Sequence, residues 1–307
     1  MGTPAPPVIR VPRSHRVFSY SAAHAPAARV ASGDVVVVET TNAFGDQHFE
    51  PGDTLADLDL SQCDPLTGPV YVEGAAPGDA LAVHIEAIEL VGRGAQGVIP
   101  DFGTLDWDSL PLHFFEPRDG KIRWLRGIEI ETRPSLGAMG VAPAEGEVPS
   151  INPGDHGGNQ DCKYVCPGST VLFPVFHPGA LLFTGDCHQI QGDGELCGVA
   201  PETDAEVRLR VEVLKGRTIR RPRILTADRF MTLASAETLE ESVRIAVRDA
   251  VELLVEEKGL TADEAYLLIT IKADIEICQV VDPLMTVRVA MDRRFYEELA
   301  PGPRQEG

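Results

Sequence analysis

The chain has 307 residues, 43% of them hydrophobic, which is enough for one large globular domain or two smaller ones. Its 47 acidic residues outnumber 27 basic ones, and the formal charge of −20 argues against nucleic acid or an anionic membrane as a partner. The sequence contains neither a run of roughly 20 apolar residues, as a membrane-spanning helix requires, nor the apolar core of a signal peptide. We therefore expect a cytoplasmic protein whose six cysteines are free thiols.

The first two thirds of the chain show β-strand patterns joined by turns rich in glycine and proline. Residues 35–40 are largely β-branched, and residues 80–90 and 205–214 alternate between apolar and polar side chains. Residues 92–120 are rich in glycine, aspartate and aromatic residues, which predicts a long excursion or lid. We expect residues 1–230 to be mainly β.

The composition changes near residue 230 to helical patterns. Residues 238–241 fit a capping box at the start of one helix, and Gly259 can end that helix. Residues 261–264 repeat the capping pattern for a second helix, and β-prone segments follow it. Residues 231–307 are therefore predicted to contain two helices and terminal strands. The protein would be α+β overall, mainly β with a smaller C-terminal α/β portion.

Carboxylates and imidazoles are concentrated within residues 152–204, between apolar runs. If residues 183–190 form a strand, Asp186 and His188 lie on the same face. A two-residue turn at the following Gly-Asp-Gly would return Glu195 to that face and place the three side chains within about 10 Å. One imidazole with several carboxylates suits a divalent ion such as zinc. The same residues also fit acidic turns beside a hydrogen-bonded histidine.

Two further polar segments carry candidate ligands. Residues 157–161 have the sequence G-G-N-Q-D, and paired glycines allow the backbone to approach a ligand closely. Asn159 and Asp161 share a face if this segment is extended. The loop after the first predicted strand contains His48, which would complete a metal site from that side.

Three motifs occur together in the centre of the chain: G-G-N-Q-D at 157–161, P-V-F-H-P-G-A-L-L-F-T-G-D-C-H at 174–188 and G-D-G-E at 192–195. In combination they resemble the acetamidase/formamidase family of metal-dependent amidases. Segments at residues 68–79 and 274–282 also resemble this family, so the likeness covers nearly the whole chain. The sequence departs from the family pattern at Asn42, where an aspartate would be expected, and this loop is predicted to influence the substrate.

The resemblance implies a β-sandwich-like architecture with a smaller α/β portion. It also implies a bound zinc ion, with calcium as the alternative, and hydrolysis of a small carboxamide. A linear amide would give a carboxylic acid and ammonia, and a cyclic one would give the ring-opened amino acid. Together with exposed apolar edges, it suggests a homodimer or larger homo-oligomer. The region of residues 1–230 would carry the metal site.

The candidate residues follow from metal-assisted hydrolysis, because amides are poor electrophiles that need a Lewis acid. The candidate metal ligands are Asp161, Asp186, His188, Glu195 and His48. The candidate catalytic groups are Asp186, Glu195, Glu202 and Asn159. Asp186 would either bind the metal or fix the tautomer of His188. Asp186 or Glu202 would act as the general base, and Asn159 would stabilise the oxyanion.

Two other interpretations use the same stretch. A cysteine amidase would need Cys162, Cys166 or Cys187 beside a histidine, but Cys187 and His188 point to opposite faces of a strand. The cysteine spacings also match zinc-binding patterns poorly. Alternatively, the acidic turns would hold calcium in a β-sandwich that binds a ligand without hydrolysing it.

Overall fold

The computed structural model describes residues 8–45, 47, 49–108 and 110–294. Its strands are β1 (Ile9–Val11), β2 (Arg16–Val17), β3 (Ser19–Ser21), β4 (Ala28–Val30), β5 (Val35–Thr40), β6 (Leu66–Val72), β7 (Ala80–Gln96), β8 (His113–Phe115), β9 (Lys121–Arg123), β10 (Glu129–Glu131), β11 (Ser135–Val141), β12 (Glu147–Pro149), β13 (Gly157–Asn159), β14 (Thr170–Pro174), β15 (Leu182–His188), β16 (Glu202–Leu214), β17 (Arg223–Leu225), β18 (Arg229–Ala236), β19 (Ala273–Gln279) and β20 (Met285–Asp292). The helices are α1 (Leu239–Lys258) and α2 (Ala262–Lys272), with short 3-10 turns at Leu60–Gln62 and Leu125–Gly127. The predicted mainly β class is confirmed.

One large sheet contains sixteen of these strands, and its main path runs β13-β11-β15-β16-β7-β14-β17-β18-β20-β19. The long strands β7 and β16 are antiparallel neighbours along most of their length. On its other side, β16 pairs with β5 as far as Ala205 and then with the end of β15, where Glu202 lies opposite His188. The strand next to β16 therefore changes from β5 to β15 at the start of β16, and the candidate site lies at this change.

The central core follows from the alternation seen in the sequence. Val36 and Val38 of β5, Val83 and Ile85 of β7, and Leu209 of β16 are all buried in one apolar cluster. Burial of one face and hydration of the other is the expected result of a two-residue side-chain period. The structure extends the predicted strand at residues 80–90 to Gln96.

The C-terminal helices begin and end as their capping residues predict. The Thr238 side chain accepts a hydrogen bond from the Glu241 backbone N–H (3.2 Å), and Gly259 ends α1 with a φ of 68°. Thr261 starts α2 with a complete capping box. The helix α1 packs on β18 and β20, which belong to the same sheet as the rest of the fold. The division into domains at residue 230 stays a prediction.

The predicted lid is partly regular. The strand β7 occupies its first residues, β8 pairs with the end of β7, and the chain between them lies against residues 196–198. Neither of the two described helices combines the length and apolarity needed to cross a membrane.

Candidate metal centre

A single histidine lies among four carboxylates. The Nε2 atom of His188 is 3.2 Å from Asp186 Oδ1 and 3.4 Å from Glu202 Oε2. It is 3.8 Å from Glu195 Oε1 and 3.9 Å from Asp161 Oδ1. The five side chains are between 1% and 7% exposed. One imidazole nitrogen therefore faces the space that the four carboxylates share.

The strands place three of these residues directly. Asp186 and His188 lie two positions apart on β15 and share a face, as predicted. Glu202 is the first residue of β16 and pairs with His188 across the ladder. Side chains opposite each other on antiparallel strands lie within about 5.5 Å at Cβ, which explains the contact between them.

Glu195 reaches the cluster by a route that differs from the predicted hairpin. The strand β15 ends at His188, and no described strand begins before Glu202. The backbone of Gly194 bonds instead to β19 and the residue after it, through Gly194 N–H to Cys278 C=O (2.9 Å) and Val280 N–H to Gly194 C=O (3.2 Å). The two-residue hairpin was wrong because this turn is held by a partner more than 80 residues away in sequence.

Asp161 and two other site carboxylates sit on left-handed backbone. The φ angles are 44° at Asp161, 50° at Asp186 and 45° at Glu195. The condition that residues 157–161 be extended is therefore not met, because β13 ends at Asn159. Non-glycine residues in this region cost of order 1–3 kcal/mol and are concentrated at functional sites. The turns at these positions aim the carboxylates inward.

Two more carboxylates join the site that the sequence analysis did not select. Asp64 has a φ of 51° and is 8% exposed, and Asp282 lies between β19 and β20. Both line the same cavity as the cluster, and Asp282 Oδ2 accepts a hydrogen bond from Asn159 Nδ2 (3.3 Å). Asp282 is the last residue of the segment 274–282, which resembles the family, so the sequence contained a clue to it. Nothing in the local sequence distinguishes Asp64. The site thus draws a residue from the C-terminal portion.

Burial and the crowding of negative charge shift the pKa values of this group, and Asp186 alone of the four carboxylates around His188 has a lowered pKa, because His188 offsets the effect of its burial. Burial and the nearby charge of Asp186 raise the pKa of Asp161 to about 7. Burial, above all, also raises the pKa values of Glu195 and Glu202. Burial opposes charge on His188, but Glu202 and Asp186 raise the pKa of its imidazole well above the usual value. A bound cation would therefore stabilise the ionised carboxylates of the cluster.

Unpaired oxygens show that the residues fit a cation. Asp161 Oδ2, Glu202 Oε2 and Asn159 Oδ1 are buried and have no hydrogen-bond partner. Leaving such atoms unpaired costs free energy that a bound ion would recover. Two sets of three ligand atoms lie within 4.8 Å of one another: those of Asp161, Asp186 and His188, and those of His188, Glu195 and Glu202. An imidazole with carboxylates is a donor set that divalent ions use.

Gln191 orients the histidine. Its Oε1 lies 3.2 Å from His188 Nδ1, and its Nε2 donates to the Asp161 carbonyl oxygen at 2.6 Å. An Nδ1–H that donates to Gln191 leaves the Nε2 lone pair free for a metal. Asp186 Oδ1 lies 3.2 Å from Nε2, which fits both of its predicted roles: a ligand of the same ion, or the acceptor that fixes the tautomer.

Gly137 on β11 makes room for the paired carboxylates, and replacing it tests their arrangement. A Cβ at this position would overlap Asp186 Oδ2 and Asp161 Oδ1. We expect Gly137→Ala to lower the affinity for divalent metal at least about 10-fold, as measured by competition with a chelating dye. Gly192→Ala is the matched control, because a Cβ there meets no atom within 4 Å. Equal affinities in the two variants would show that the ion lies elsewhere.

The carboxylates form the floor of a small cavity of about 50 Å³. Its upper walls are apolar and are made by Phe44, Leu58, Leu60, Ile99, Phe102 and Val199. Asn42 is absent from this lining: its Nδ2 donates to Asp204 Oδ1 at 2.9 Å. Of the described residues in the loop after β5, Ala43 and Phe44 line the cavity. The other residue predicted from this loop, His48, lies outside the described residues.

The cysteines do not form a reactive or metal-binding group in the described part of the chain. All six are free, and none belongs to a metal-competent cluster among the described residues. Cys187 is fully buried, and burial raises the pKa of its thiol far above the ordinary value. A thiol that remains protonated is a poor nucleophile. Burial opposes ionisation of Cys162, but its hydrogen bond with Cys278 and the charge of Arg288 lower the pKa of that thiol to about 7. Cys162 is fully buried and lies against Arg288 and Cys278 rather than a histidine base, so neither the cysteine amidase nor a structural zinc site is favoured.

The fold and cluster together define a mainly β protein with a buried carboxylate-histidine centre suited to a divalent ion. The sequence model of a protein family, described as "Acetamidase/Formamidase family", matches residues 20–148 and 144–293 of this chain. The chain belongs to the acetamidase/formamidase family, as the sequence motifs predicted.

Individual relatives agree with this placement. An acetamidase structure from Bacillus halodurans has a TM-score of 0.92 at 34% identity, covering 95% of this chain and 99% of that one. The crystal structure of a recombinant predicted acetamidase/formamidase from Thermoanaerobacter tengcongensis has a TM-score of 0.91 at 37% identity, covering 95% of this chain and 97% of that one. A curated acetamidase from Mycolicibacterium smegmatis is 28% identical over 52% of this chain and 56% of that protein. The match thus spans little more than half of that curated relative.

Proposed function

We propose that the protein is a metal-dependent amidase that hydrolyses a carboxamide to a carboxylic acid and ammonia. The observation that carries this proposal is the single imidazole nitrogen facing four buried carboxylates on the floor of a small cavity. Membership of the acetamidase/formamidase family supports it, and relatives bear the names acetamidase and formamidase.

The ligands we propose are His188 Nε2 with carboxylate oxygens of Asp161, Asp186 and Glu195. We propose zinc as the ion, because it accepts an imidazole together with carboxylates, and calcium as the competing occupant of an oxygen-rich site. A divalent ion held there supplies Lewis acidity, which polarises an amide carbonyl and lowers the pKa of water.

The remaining groups would handle protons and the developing charge. Glu202 Oε2 faces the cavity without a hydrogen-bond partner, so we assign it the proton that passes from water to the leaving ammonia. Asp186 is the alternative base if it does not bind the ion. One Nδ2 hydrogen of Asn159 is donated to Asp282, and we propose the other as the donor to the oxyanion.

Other features of the proposal concern the setting of the enzyme. The six free cysteines suit a reducing compartment, and we infer a cytoplasmic location. Exposed apolar side chains such as Ile271 and Ile275 suit a homodimer or larger assembly.

Elemental analysis combined with ammonia release tests the proposal. We expect at least one divalent ion per chain, and in the metal-replete protein either ammonia from formamide or acetamide or the ring-opened amino acid from a simple lactam. A metal-replete protein that yields neither ammonia from any simple amide nor a ring-opened product from any lactam would refute the amidase. A retained calcium ion with no turnover would instead favour the ligand-binding protein.

A further inference from the structure

A second cavity, of about 170 Å³, lies beside the catalytic one and shares the ring of Phe102 with it. We call it the outer cavity; its other apolar walls are Val98, Leu105, Trp107, Leu110 and Leu196. Leu105, Trp107 and Leu196 are 65%, 52% and 60% exposed. Large apolar side chains gathered at a concave surface are typical of ligand-binding grooves.

The same two segments build both cavities. Thr104 donates its backbone N–H and its hydroxyl to the Leu196 carbonyl oxygen at 2.9 and 3.0 Å. The Phe102 ring rests against Gly198, where a Cβ would overlap the ring carbons. Leu196 directly follows the candidate ligand Glu195. The outer cavity is therefore separated from the carboxylate cluster by one aromatic ring and one turn of chain.

The polar groups of the outer cavity are already engaged. The Thr104 hydroxyl is bonded to Leu196, and Cys197 Sγ lies 3.4 Å from the Val199 carbonyl oxygen, to which it donates. None of the described lining residues carries a charge. The cavity thus offers hydrophobic contact alone, and a ligand that enters it must place its polar end elsewhere.

We propose that the outer cavity binds the apolar acyl chain of a longer carboxamide, whose amide group sits at the carboxylate cluster. Phe102 forms the junction that the chain must pass. This inference rests on the proposed amidase function and assigns a substrate class to the same site. Each methylene that leaves water contributes about three- to fourfold to kcat/KM while the chain remains inside the cavity.

Ammonia release from acetamide, butanamide, hexanamide and octanamide tests the assignment. We expect kcat/KM for hexanamide to exceed that for acetamide at least about 10-fold. Trp107→Ala and Leu196→Ser should lower the ratio of hexanamide to acetamide kcat/KM about 10-fold. Leu267→Ser is the matched control, because Leu267 is 67% exposed on α2, away from both cavities, and its ratio should stay that of the wild type.

The inference would be overturned if kcat/KM did not change along the amide series. It would also be overturned if the ratio of hexanamide to acetamide kcat/KM were equal in all variants. So would an unchanged ratio in Leu196→Ser accompanied by a change in oligomeric state in sedimentation, since a second copy would then cover the patch. If no amide is hydrolysed, hexanamide binding is measured by Trp107 fluorescence in a Trp124→Phe background, which leaves one tryptophan. Saturable hexanamide binding that is lost in Leu196→Ser would support the outer cavity as a binding site and refute the amidase. No hexanamide binding would refute both proposals.

Discussion

Replacing Glu195 with glutamine is expected to reduce kcat for amide hydrolysis by about 10²- to 10⁴-fold. The Glu195 side chain is 7% exposed, with Oε1 3.8 Å from His188 Nε2, and it lines the cavity that the carboxylate cluster forms. Glutamine keeps the shape of the side chain but removes the negative charge. The loss of kcat therefore shows how much the negative charge of Glu195 contributes, either by holding an ion or by moving a proton.

Metal content separates these two roles of Glu195. If the carboxylate is a ligand, the variant should also retain less metal after dialysis against a weak chelator. If it only transfers protons, the metal content should equal that of the wild type while kcat falls. Glu145→Gln is the matched control, since Glu145 is exposed on the surface. Wild-type turnover in Glu195→Gln would remove Glu195 from the site.

Removing the metal is expected to lower the midpoint of thermal unfolding, most strongly at alkaline pH. In the metal-free protein, ionised carboxylates face one another without a compensating ion. The pKa of Asp161 rises from 3.8 to about 7 in the folded state. A folded-state pKa above the unfolded value means that stability is lost as pH rises through that window. The raised pKa of His188 acts in the same direction.

Differential scanning calorimetry of the chelator-treated protein between pH 5 and pH 8 checks this prediction. We expect the midpoint to fall by about 5 °C as pH rises, since the shift corresponds to a few kcal/mol. The metal-replete protein should show a smaller dependence. Asp161→Asn should make the profile of the metal-free protein less steep without abolishing the dependence, because it removes one titrating group while Glu195, Glu202 and His188 remain. A metal-free midpoint that rises between pH 5 and pH 8 would contradict the repulsion on which the metal centre rests.

Local patterns account for much of the fold. β5 formed where β-branched residues cluster, and α1 and α2 began at the capping residues Thr238 and Thr261. These elements depend on neighbours within a few positions, so the sequence shows them directly. The shared face of Asp186 and His188 likewise depends only on the two-residue period of a strand.

The rest of the site depends on contacts between distant segments. Glu195 is placed by the pairing of Gly194 with β19, Asp64 enters from a turn with no motif, and Gln191 orients His188 from a loop. Long-range pairing and left-handed turns leave little trace in the local sequence, because they are stabilised by the whole core.

The sequence by itself therefore determined the mainly β class, the helices, the family and the residue types of the candidate metal centre, because these follow from side-chain periodicity and from the combination of motifs. Only the tertiary structure decided which carboxylates meet around His188, that Gln191 lies against its Nδ1 atom and that a second apolar cavity adjoins the first. The carboxylates meet where the neighbour of β16 changes from β5 to β15, and the second cavity forms where Phe102 and Thr104 lie against residues 196–198. Both depend on contacts between segments that are distant in sequence.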